Sequence, residues 1–119
     1  MKLVIAEKPM LARDIARAIC GVKVSETARL PISGNGWCVC ACAGHLLELK
    51  EPHEINEKWK EWDLDDLPIS IENWPKRPSG DKKRLVKDIG ELLKSADMVV
   101  NAGDPDDEGQ LIVDEVLEY

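Results

Sequence analysis

The sequence predicts an α/β fold with an open sheet whose central strands are mainly parallel and are flanked by helices. Two short apolar runs with β-branched residues, Lys2–Ala6 and Met98–Ala102, are each followed by a polar turn and then by a segment with helical periodicity. This alternation of strands and helices favours parallel strands, because parallel neighbours need a crossover that is usually helical. A hairpin and an irregular insertion rich in tryptophan are predicted in addition.

Length and composition indicate one folded domain. The chain has 119 residues, of which 44% are hydrophobic and 33% are charged, and this hydrophobic content is too high for a disordered chain. No apolar run approaches the roughly 18 residues that span a membrane. The carboxylate of Glu7 interrupts the stretch that a signal peptide would keep apolar. We therefore expect a cytoplasmic protein without a membrane partner.

The first helix is expected directly after the first strand. Pro9 suits the first turn of a helix, and apolar residues then recur at helical spacing until Gly21. These residues are Leu11, Ala12, Ile15, Ala16 and Ile19.

A hairpin is predicted around Gly34-Asn35-Gly36, since these turn residues tolerate a positive φ. Its strands would be Ala28–Ser33 and Trp37–Ala43. The insertion, residues 48–80, is rich in proline, shows no sustained period and holds Trp59, Trp62 and Trp74. We expect it to be irregular, with one helical turn near Glu54–Trp62.

Three of the four cysteines, Cys38, Cys40 and Cys42, alternate along the second strand of the hairpin. Their period of two places them on one face of that strand. Neighbours two apart on a strand are badly placed for a disulfide, and C-x-C-x-C lacks the spacing of a zinc knuckle. Buried, reduced thiols are therefore expected.

Three elements complete the predicted fold. Ser79 is expected to cap a helix in which an apolar stripe lies opposite a face rich in lysine. The stripe consists of Leu85, Val86, Ile89, Leu92, Leu93 and Ala96. The strand Met98–Ala102 follows, and the last helix is expected from about Gln110 to Leu117.

Carboxylates follow both apolar strands. In open α/β sheets the site lies beyond the carboxyl ends of the strands, so the two acidic segments converge on one crevice if these strands are neighbours. The residues concerned are Glu7, Lys8, Asp104, Asp106 and Glu108. Crowded carboxylates repel each other, and a hard divalent cation relieves this repulsion. Magnesium is favoured because it binds through one or two carboxylates and completes its shell with water and substrate phosphate. Lys8 would supply a positive charge to an oxygen of that phosphate.

The net charge of -7 opposes autonomous binding to DNA, since DNA-binding domains normally carry a basic surface. If DNA is the substrate, its phosphates must be neutralised by bound metal or by basic surface outside this chain.

Three motifs together resemble the type IA DNA topoisomerases, most closely the topoisomerase III branch. They are MKLVIAEKPMLARDIA at the start, AGHLLEL in the middle and AGDPDDEGQLIVDEVLEY at the end. A D-x-D motif alone would be weak support, but these motifs rarely coincide in this order and spacing. The resemblance covers essentially the whole chain and implies a Toprim-like (Rossmann-like) open sheet for residues 1–119, with the insertion at about 48–80.

The resemblance implies magnesium-assisted transesterification of single-stranded DNA through a 5′-phosphotyrosyl intermediate, with manganese able to substitute. It implies that Glu7 is the general acid and base at the leaving 3′ oxygen and that Lys8 stabilises the transition-state phosphate. The proposed magnesium ligands are Asp104, Asp106 and Glu108, with Glu7 nearby or sharing that role. His45 would shape the site or contact phosphate. Such an enzyme would be cytoplasmic and associated with the bacterial nucleoid.

Two features depart from the family's pattern. Asp107 stands where the family usually has arginine, which should weaken contact with DNA or shift the affinity for metal. The nucleophilic tyrosine of the family lies in a later domain, and we expect Tyr119, the only tyrosine here, to be structural. The chain alone should therefore bind DNA weakly, and activity would require the remaining topoisomerase domains.

Alternative functions come from other classes. Asp104 to Glu115 also fits the spacing of a calcium-binding EF-hand loop, although the apolar segment before it indicates a strand instead of a helix. Primases and nucleases that share the Toprim fold are closer alternatives. A protein-interaction module without metal is the third.

Overall fold

A computed structural model describes residues 1–61, 64, 67 and 74–119. The strands are β1 Lys2–Ala6, β2 Ile32–Gly34, β3 Trp37–Ala41, β4 Leu47–Leu49, β5 Lys76–Pro78 and β6 Met98–Ala102. The helices are α1 Pro9–Ile19, α2 Pro52–Ile55, α3 Lys83–Ser95 and α4 Asp107–Glu118, with a 3-10 turn at Glu57–Trp59.

Four of the strands form one sheet in the order β2-β3-β1-β6. The central strand β1 pairs in parallel with β3 on one side and with β6 on the other, and β2 is antiparallel to β3. Ala6 is level with both Ala41 and Ala102, so three parallel strands end at one edge of the sheet. The predicted α/β architecture is confirmed, and the two strands that precede the acidic segments are direct neighbours.

The core has a layer on each face of this sheet. On one face, Leu3, Ile5 and the cysteines of β3 pack with apolar residues of α3 and α4. On the other face, Val4, Ala6 and Val39 pack with α1, whose Ala12 and Ala16 are fully buried. The predicted stripes of α1 and α3 face these layers. Removal of this apolar surface from water is the main force that holds the helices on the sheet.

The cysteines follow the prediction. Cys38, Cys40 and Cys42 share one buried layer, and all four thiols are free. Burial raises the pKa of Cys40 to about 12 and that of Cys42 to about 11, and the nearby carboxylate of Glu7 adds to the shift at Cys42. These thiols therefore stay protonated at neutral pH.

The hairpin turn lies at Asn35 and Gly36, both with positive φ, as its sequence indicates. Its first strand, however, is shorter than predicted and begins at Ile32 instead of Ala28. Pro31 lies directly before β2 and has no N–H with which to extend the ladder.

The described part of the insertion is more regular than predicted. Its two ends pair as an antiparallel ribbon, β4 with β5, in which Glu48 lies opposite Arg77. The single predicted turn is split into α2 and the 3-10 turn, and the indole N–H of Trp74 donates to the carbonyl oxygen of Lys50 at 2.7 Å. The ribbon was missed because charged residues and Pro78 give β5 no strand signal. Trp62 lies outside the described residues.

Helix boundaries show two differences from the prediction. Ser79 does not cap α3, whose N-cap is Lys82 without a side-chain hydrogen bond, and the Ser79 carbonyl instead accepts from the Lys82 N–H at 2.8 Å. The last helix begins at Asp107, before the predicted Gln110, because Asp106 caps it. In the part of the chain described, no helix combines the length and apolarity that a membrane crossing requires.

Candidate functional site

The site lies where β1 and β6 end side by side. Because Ala6 and Ala102 are level in adjacent parallel strands, the residues that follow them leave the sheet at one place. The backbone N–H of Asp104 donates to Oε2 of Glu7 at 3.2 Å. Two segments 97 residues apart in sequence therefore meet, as the sequence predicted.

Glu7 is a buried carboxylate with only 6% of its surface exposed. A carboxylate that loses water needs hydrogen-bond donors or a cation in compensation, and the Asp104 N–H is one such donor. The chain beside β1 is also fixed at this level, because the N–H of Cys42 donates to the carbonyl oxygen of Ala6 at 2.9 Å. Glu7 is thus buried at the end of β1, with its carboxylate held against the loop that follows β6.

The acidic loop, residues 103–109, folds tightly onto the start of α4. The side chain of Asn101 accepts from the Gly103 N–H at 2.9 Å, and the Asp104 carbonyl accepts from the Asp106 N–H at 2.8 Å. A Cβ atom on Gly103 would lie 2.5 Å from the carbonyl oxygen of Gly109. No role was predicted for three residues of this region, Asn101, Gly103 and Gly109. Of these, only Gly109 had a sequence signal, because it is the glycine that ends the D-x-D-x-E-G motif.

Asp106 caps α4 with one carboxylate oxygen and has its second oxygen available for a ligand. Its Oδ1 accepts from the Gly109 N–H at 2.7 Å and caps α4, which leaves Oδ2 for another ligand. Asp107 and Glu108 occupy the exposed first turn of the helix, where the partial positive charge of the helix N-terminus stabilises carboxylates. Neighbouring carboxylates of the acidic loop thus differ in their surroundings, because Asp106 is hydrogen-bonded to the backbone whereas Asp107 and Glu108 are exposed.

His45 belongs to the same region. It follows Gly44, which has a φ of 73°, and its Nε2 lies 3.6 Å from Oε1 of Glu108. Its Nδ1 lies 3.6 Å from Oε2 of Glu115, whose other oxygen is 3.5 Å from Nζ of Lys76. Glu115 was predicted as a ligand only in the EF-hand alternative, where it is the last residue of the loop. It lies seven residues after Glu108 and hence on the same helix face, which was the available signal.

Lys8 and Tyr119 occupy exposed positions. Lys8 is the N-cap of α1 and follows Glu7 directly, so its ammonium is available to a ligand that arrives from solvent. Tyr119 follows α4 and is 63% exposed, beside a groove of about 370 Å³ between α3 and α4. The groove is lined by apolar and charged residues and includes no residue of the acidic loop, and the structural role of Tyr119 stays a prediction.

A metal ion that is held entirely by the protein needs a complete cage of side-chain ligands. Within residues 1–61, 64, 67 and 74–119, no three histidine, cysteine, aspartate or glutamate side chains already form such a cage. Magnesium needs one or two carboxylates and completes its shell with water and phosphate. The structure brings Glu7 and Asp104 together through a hydrogen bond, and the role of these and the other acidic residues as metal ligands stays a prediction.

The EF-hand alternative is wrong. The segment before the acidic loop is β6, paired in parallel with β1, whereas an EF-hand loop is entered from a helix. In addition, α4 begins at Asp107, within the stretch Asp104 to Glu115 that the loop would occupy.

Comparisons with known proteins agree with this geometry. A family model described as Toprim domain matches residues 2–119. The chain is 45% identical over 118 residues to DNA topoisomerase 3 of Vibrio cholerae serotype O1 and 42% identical over 126 residues to DNA topoisomerase 3 of Haemophilus influenzae. It is 34% identical over 122 residues to DNA topoisomerase 1 of Alkalihalophilus pseudofirmus.

These alignments cover 98–100% of this chain but only 17–18% of each relative. The chain thus spans less than a fifth of the length of the curated relatives that it matches, and it corresponds to their N-terminal part.

Proposed function

The chain belongs to the Toprim family, and on this premise we propose that it is the metal-binding catalytic part of a type IA DNA topoisomerase of the topoisomerase III branch. The longer enzyme would break and rejoin single-stranded DNA through a 5′-phosphotyrosyl intermediate and so change DNA topology. The remaining topoisomerase domains would supply the nucleophilic tyrosine. The observation that carries the proposal is the hydrogen bond from the Asp104 N–H to Glu7, which joins the two acidic segments at one edge of the sheet.

Glu7 would act as the general acid and base at the leaving 3′ oxygen. Its burial and its contact with the Asp104 N–H support this role, because they hold the carboxyl group in one place beside the acidic loop. Lys8, exposed at the start of α1, would approach the scissile phosphate and stabilise the charge that develops there.

The proposed magnesium ligands are Asp104, Asp106 and Glu108, with Glu7 beside them. A bound Mg²⁺ would neutralise negative charge on the phosphate and orient it. The free Oδ2 of Asp106 and the position of Asp104 beside Glu7 support this ligand set. Manganese would substitute, because it accepts the same oxygen ligands.

The partner of the full-length enzyme would be single-stranded DNA, and the enzyme would act in the cytoplasm at the bacterial nucleoid. The chain alone should bind DNA weakly, since its net charge is -7 and the acidic Asp107 is exposed at the start of α4. Basic surface on the remaining domains would hold the DNA backbone. Cleavage by the chain alone is not expected.

A magnesium titration followed by amide NMR tests the metal site. We expect shifts of the amide signals of Glu7, Asp104 and residues 106–108 in the wild-type chain, and their loss in the Asp104→Asn, Asp106→Asn double variant. Asparagine also caps helices well, so this variant should keep α4 intact. A wild-type chain that does not respond to Mg²⁺ or Mn²⁺ would contradict the metal-binding role.

A chimera tests the catalytic role. The N-terminal part of the Vibrio cholerae DNA topoisomerase 3 would be replaced by this chain, which is 45% identical to it. We expect the chimera to relax negatively supercoiled plasmid in the presence of Mg²⁺, and expect Glu7→Gln to abolish this activity. Glu118→Gln, at the exposed end of α4, is the matched control and should remain active. A folded, Mg²⁺-binding chimera without relaxation activity would contradict the proposed function.

A further inference from the structure

His45 lies between two carboxylates of one helix. Its Nδ1 is 3.6 Å from Oε2 of Glu115, and its Nε2 is 3.6 Å from Oε1 of Glu108. The two glutamates are seven residues apart on α4, which is about two helical turns, so they lie on the same face. The imidazole is therefore placed with one nitrogen toward each carboxylate.

The two carboxylates are not equivalent. The side chain of Glu115 is 15% exposed, whereas that of Glu108 is 72% exposed. The less hydrated carboxylate interacts more strongly with its neighbour, because less water competes for it and the effective dielectric constant is lower. An ionised carboxylate can only accept hydrogen bonds, so each carboxylate favours a proton on the nitrogen that faces it. A neutral ring carries one N–H, and the less exposed Glu115 is favoured over Glu108 to receive it.

We propose that Glu115 is a positioning residue that fixes the ring of His45, with a protonated Nδ1 toward Glu115 and Nε2 toward Glu108. This inference deepens the proposed function and rests on it, because it leaves Nε2 of His45 on the side of Glu108, a proposed magnesium ligand. A carboxylate that binds one imidazole nitrogen and thereby selects the tautomer is a general device at sites of this kind.

Lys76 gives Glu115 a second contact, with Nζ 3.5 Å from Oε1. Lys76 begins β5 and lies opposite Leu49 of β4, which starts two residues after His45. Glu115 could therefore serve only to anchor the β4–β5 ribbon on α4. The two roles can be distinguished by substitution. Anchoring of the ribbon requires both Lys76 and Glu115, whereas orientation of the imidazole requires Glu115 alone.

The tautomer of His45 in the 119-residue chain tests the proposal. Long-range ¹H–¹⁵N correlation spectra would be recorded at a pH at which the spectra show both histidines to be neutral. His53, exposed in α2, reports the tautomer ratio of an unconstrained ring in the same sample. The variants are Glu115→Gln, Lys76→Met, and Glu118→Gln, which removes the same charge from an exposed position of α4.

In the wild-type chain, we expect the ratio of the Nδ1–H to the Nε2–H tautomer at His45 to exceed that of His53 by about fivefold or more. Glu115→Gln should return this ratio to within about twofold of His53, while Lys76→Met and Glu118→Gln should keep it. If His45 of the wild-type chain has the same tautomer ratio as His53, the proposal is overturned, whatever the variants show. An equal loss in Lys76→Met and Glu115→Gln would show that the residue only anchors the ribbon.

The magnesium titration of the same samples separates this inference from the proposed function. A chain with the expected tautomer but no metal response at Glu7 and Asp104 would contradict the metal site and leave the orienting role of Glu115 supported. A chain that binds Mg²⁺ but has an unconstrained His45 would overturn only the role of Glu115.

Discussion

Gly109 at the start of α4 lies directly against the backbone of Asp104. A Cβ atom on Gly109 would be 2.5 Å from the carbonyl oxygen of Asp104 and 2.7 Å from its nitrogen. No side chain fits between them, and the neighbour that would have to move is backbone. The same Asp104 nitrogen donates to Glu7, so the packing of a glycine sets the position of the hydrogen bond that joins the two acidic segments.

Gly109→Ala is therefore expected to destabilise the chain. Overpacking against fixed backbone costs about 1–3 kcal/mol, and we expect a loss of this size in the free energy of unfolding measured with urea. Gly90→Ala is the matched control, because Gly90 lies within α3 and a Cβ atom there meets nothing within 4 Å. That variant should gain about 0.5–1 kcal/mol from better helix propensity. Equal effects of the two substitutions would contradict the close packing of Gly109.

Asp106 should affect stability and metal binding through different oxygens. Asp106→Ala removes the helix cap and should cost about 1 kcal/mol of unfolding free energy. Asp106→Ser keeps a capping oxygen but has no second carboxylate oxygen, so it should retain most of the stability while Mg²⁺ binding weakens. Chemical denaturation and magnesium titration of both variants check this. If Asp106→Ser binds Mg²⁺ with the affinity of the wild-type chain, Asp106 caps α4 but is not a magnesium ligand.

The sequence predicted the elements whose signals are local. The strands β1 and β6 are short apolar runs, and α1 has apolar residues at helical spacing between Pro9 and Gly21. The convergence of Glu7 with Asp104 was also predictable, since it needs only that two parallel strands be neighbours. The assignment of catalytic and metal-binding roles to the site residues stays a prediction.

What the sequence did not predict depends on contacts between distant segments. The pairing of β4 with β5 joins the two ends of the insertion, and its residues carry charges and Pro78 in place of alternating apolar side chains. The contacts of Glu115 with His45 and Lys76 were not predicted, because they exist only after the ribbon has packed beside α4. The spacing of Glu108 and Glu115 places them on one helix face, but it does not show which distant side chains they contact.

Stability should fall at high pH because of the buried thiols. Their pKa in the folded chain is about 12 for Cys40 and about 11 for Cys42, above the ordinary value of 9.0. A raised pKa means that the folded state holds the proton more tightly, so this contribution is complete below pH 9.0 and is lost as the pH rises through 11 to 12. Each thiol should contribute a slope of up to about 1.4 kcal/mol per pH unit.

Urea unfolding between pH 8 and pH 11 measures this loss, and Cys42→Ala is the comparison. Lysine and tyrosine side chains also titrate in this range, but they are common to both proteins. The wild-type curve should therefore fall more steeply than that of the variant above pH 9.0, the ordinary value for cysteine. Parallel curves would contradict the raised pKa of Cys42.

Asp107→Arg should strengthen the binding of single-stranded DNA by the chain. Asp107 is exposed in the first turn of α4, between Asp106 and Glu108, so its charge acts on any phosphate that approaches the acidic loop. Exchange of an anion for a cation removes one repulsion and adds one attraction. We expect the affinity for an oligothymidylate at low salt to increase about three- to tenfold. This gain in affinity should become smaller as the salt concentration rises.

Glu118→Arg is the matched control for this gain. It makes the same change in net charge at the opposite, exposed end of α4, far along the helix from the acidic loop. Screening limits the reach of a surface charge to about 10 Å at 0.1 M salt, so this variant should gain much less than Asp107→Arg. Fluorescence anisotropy at several salt concentrations measures both. An equal gain in the two variants would show that net charge alone is responsible and that position 107 does not face the DNA.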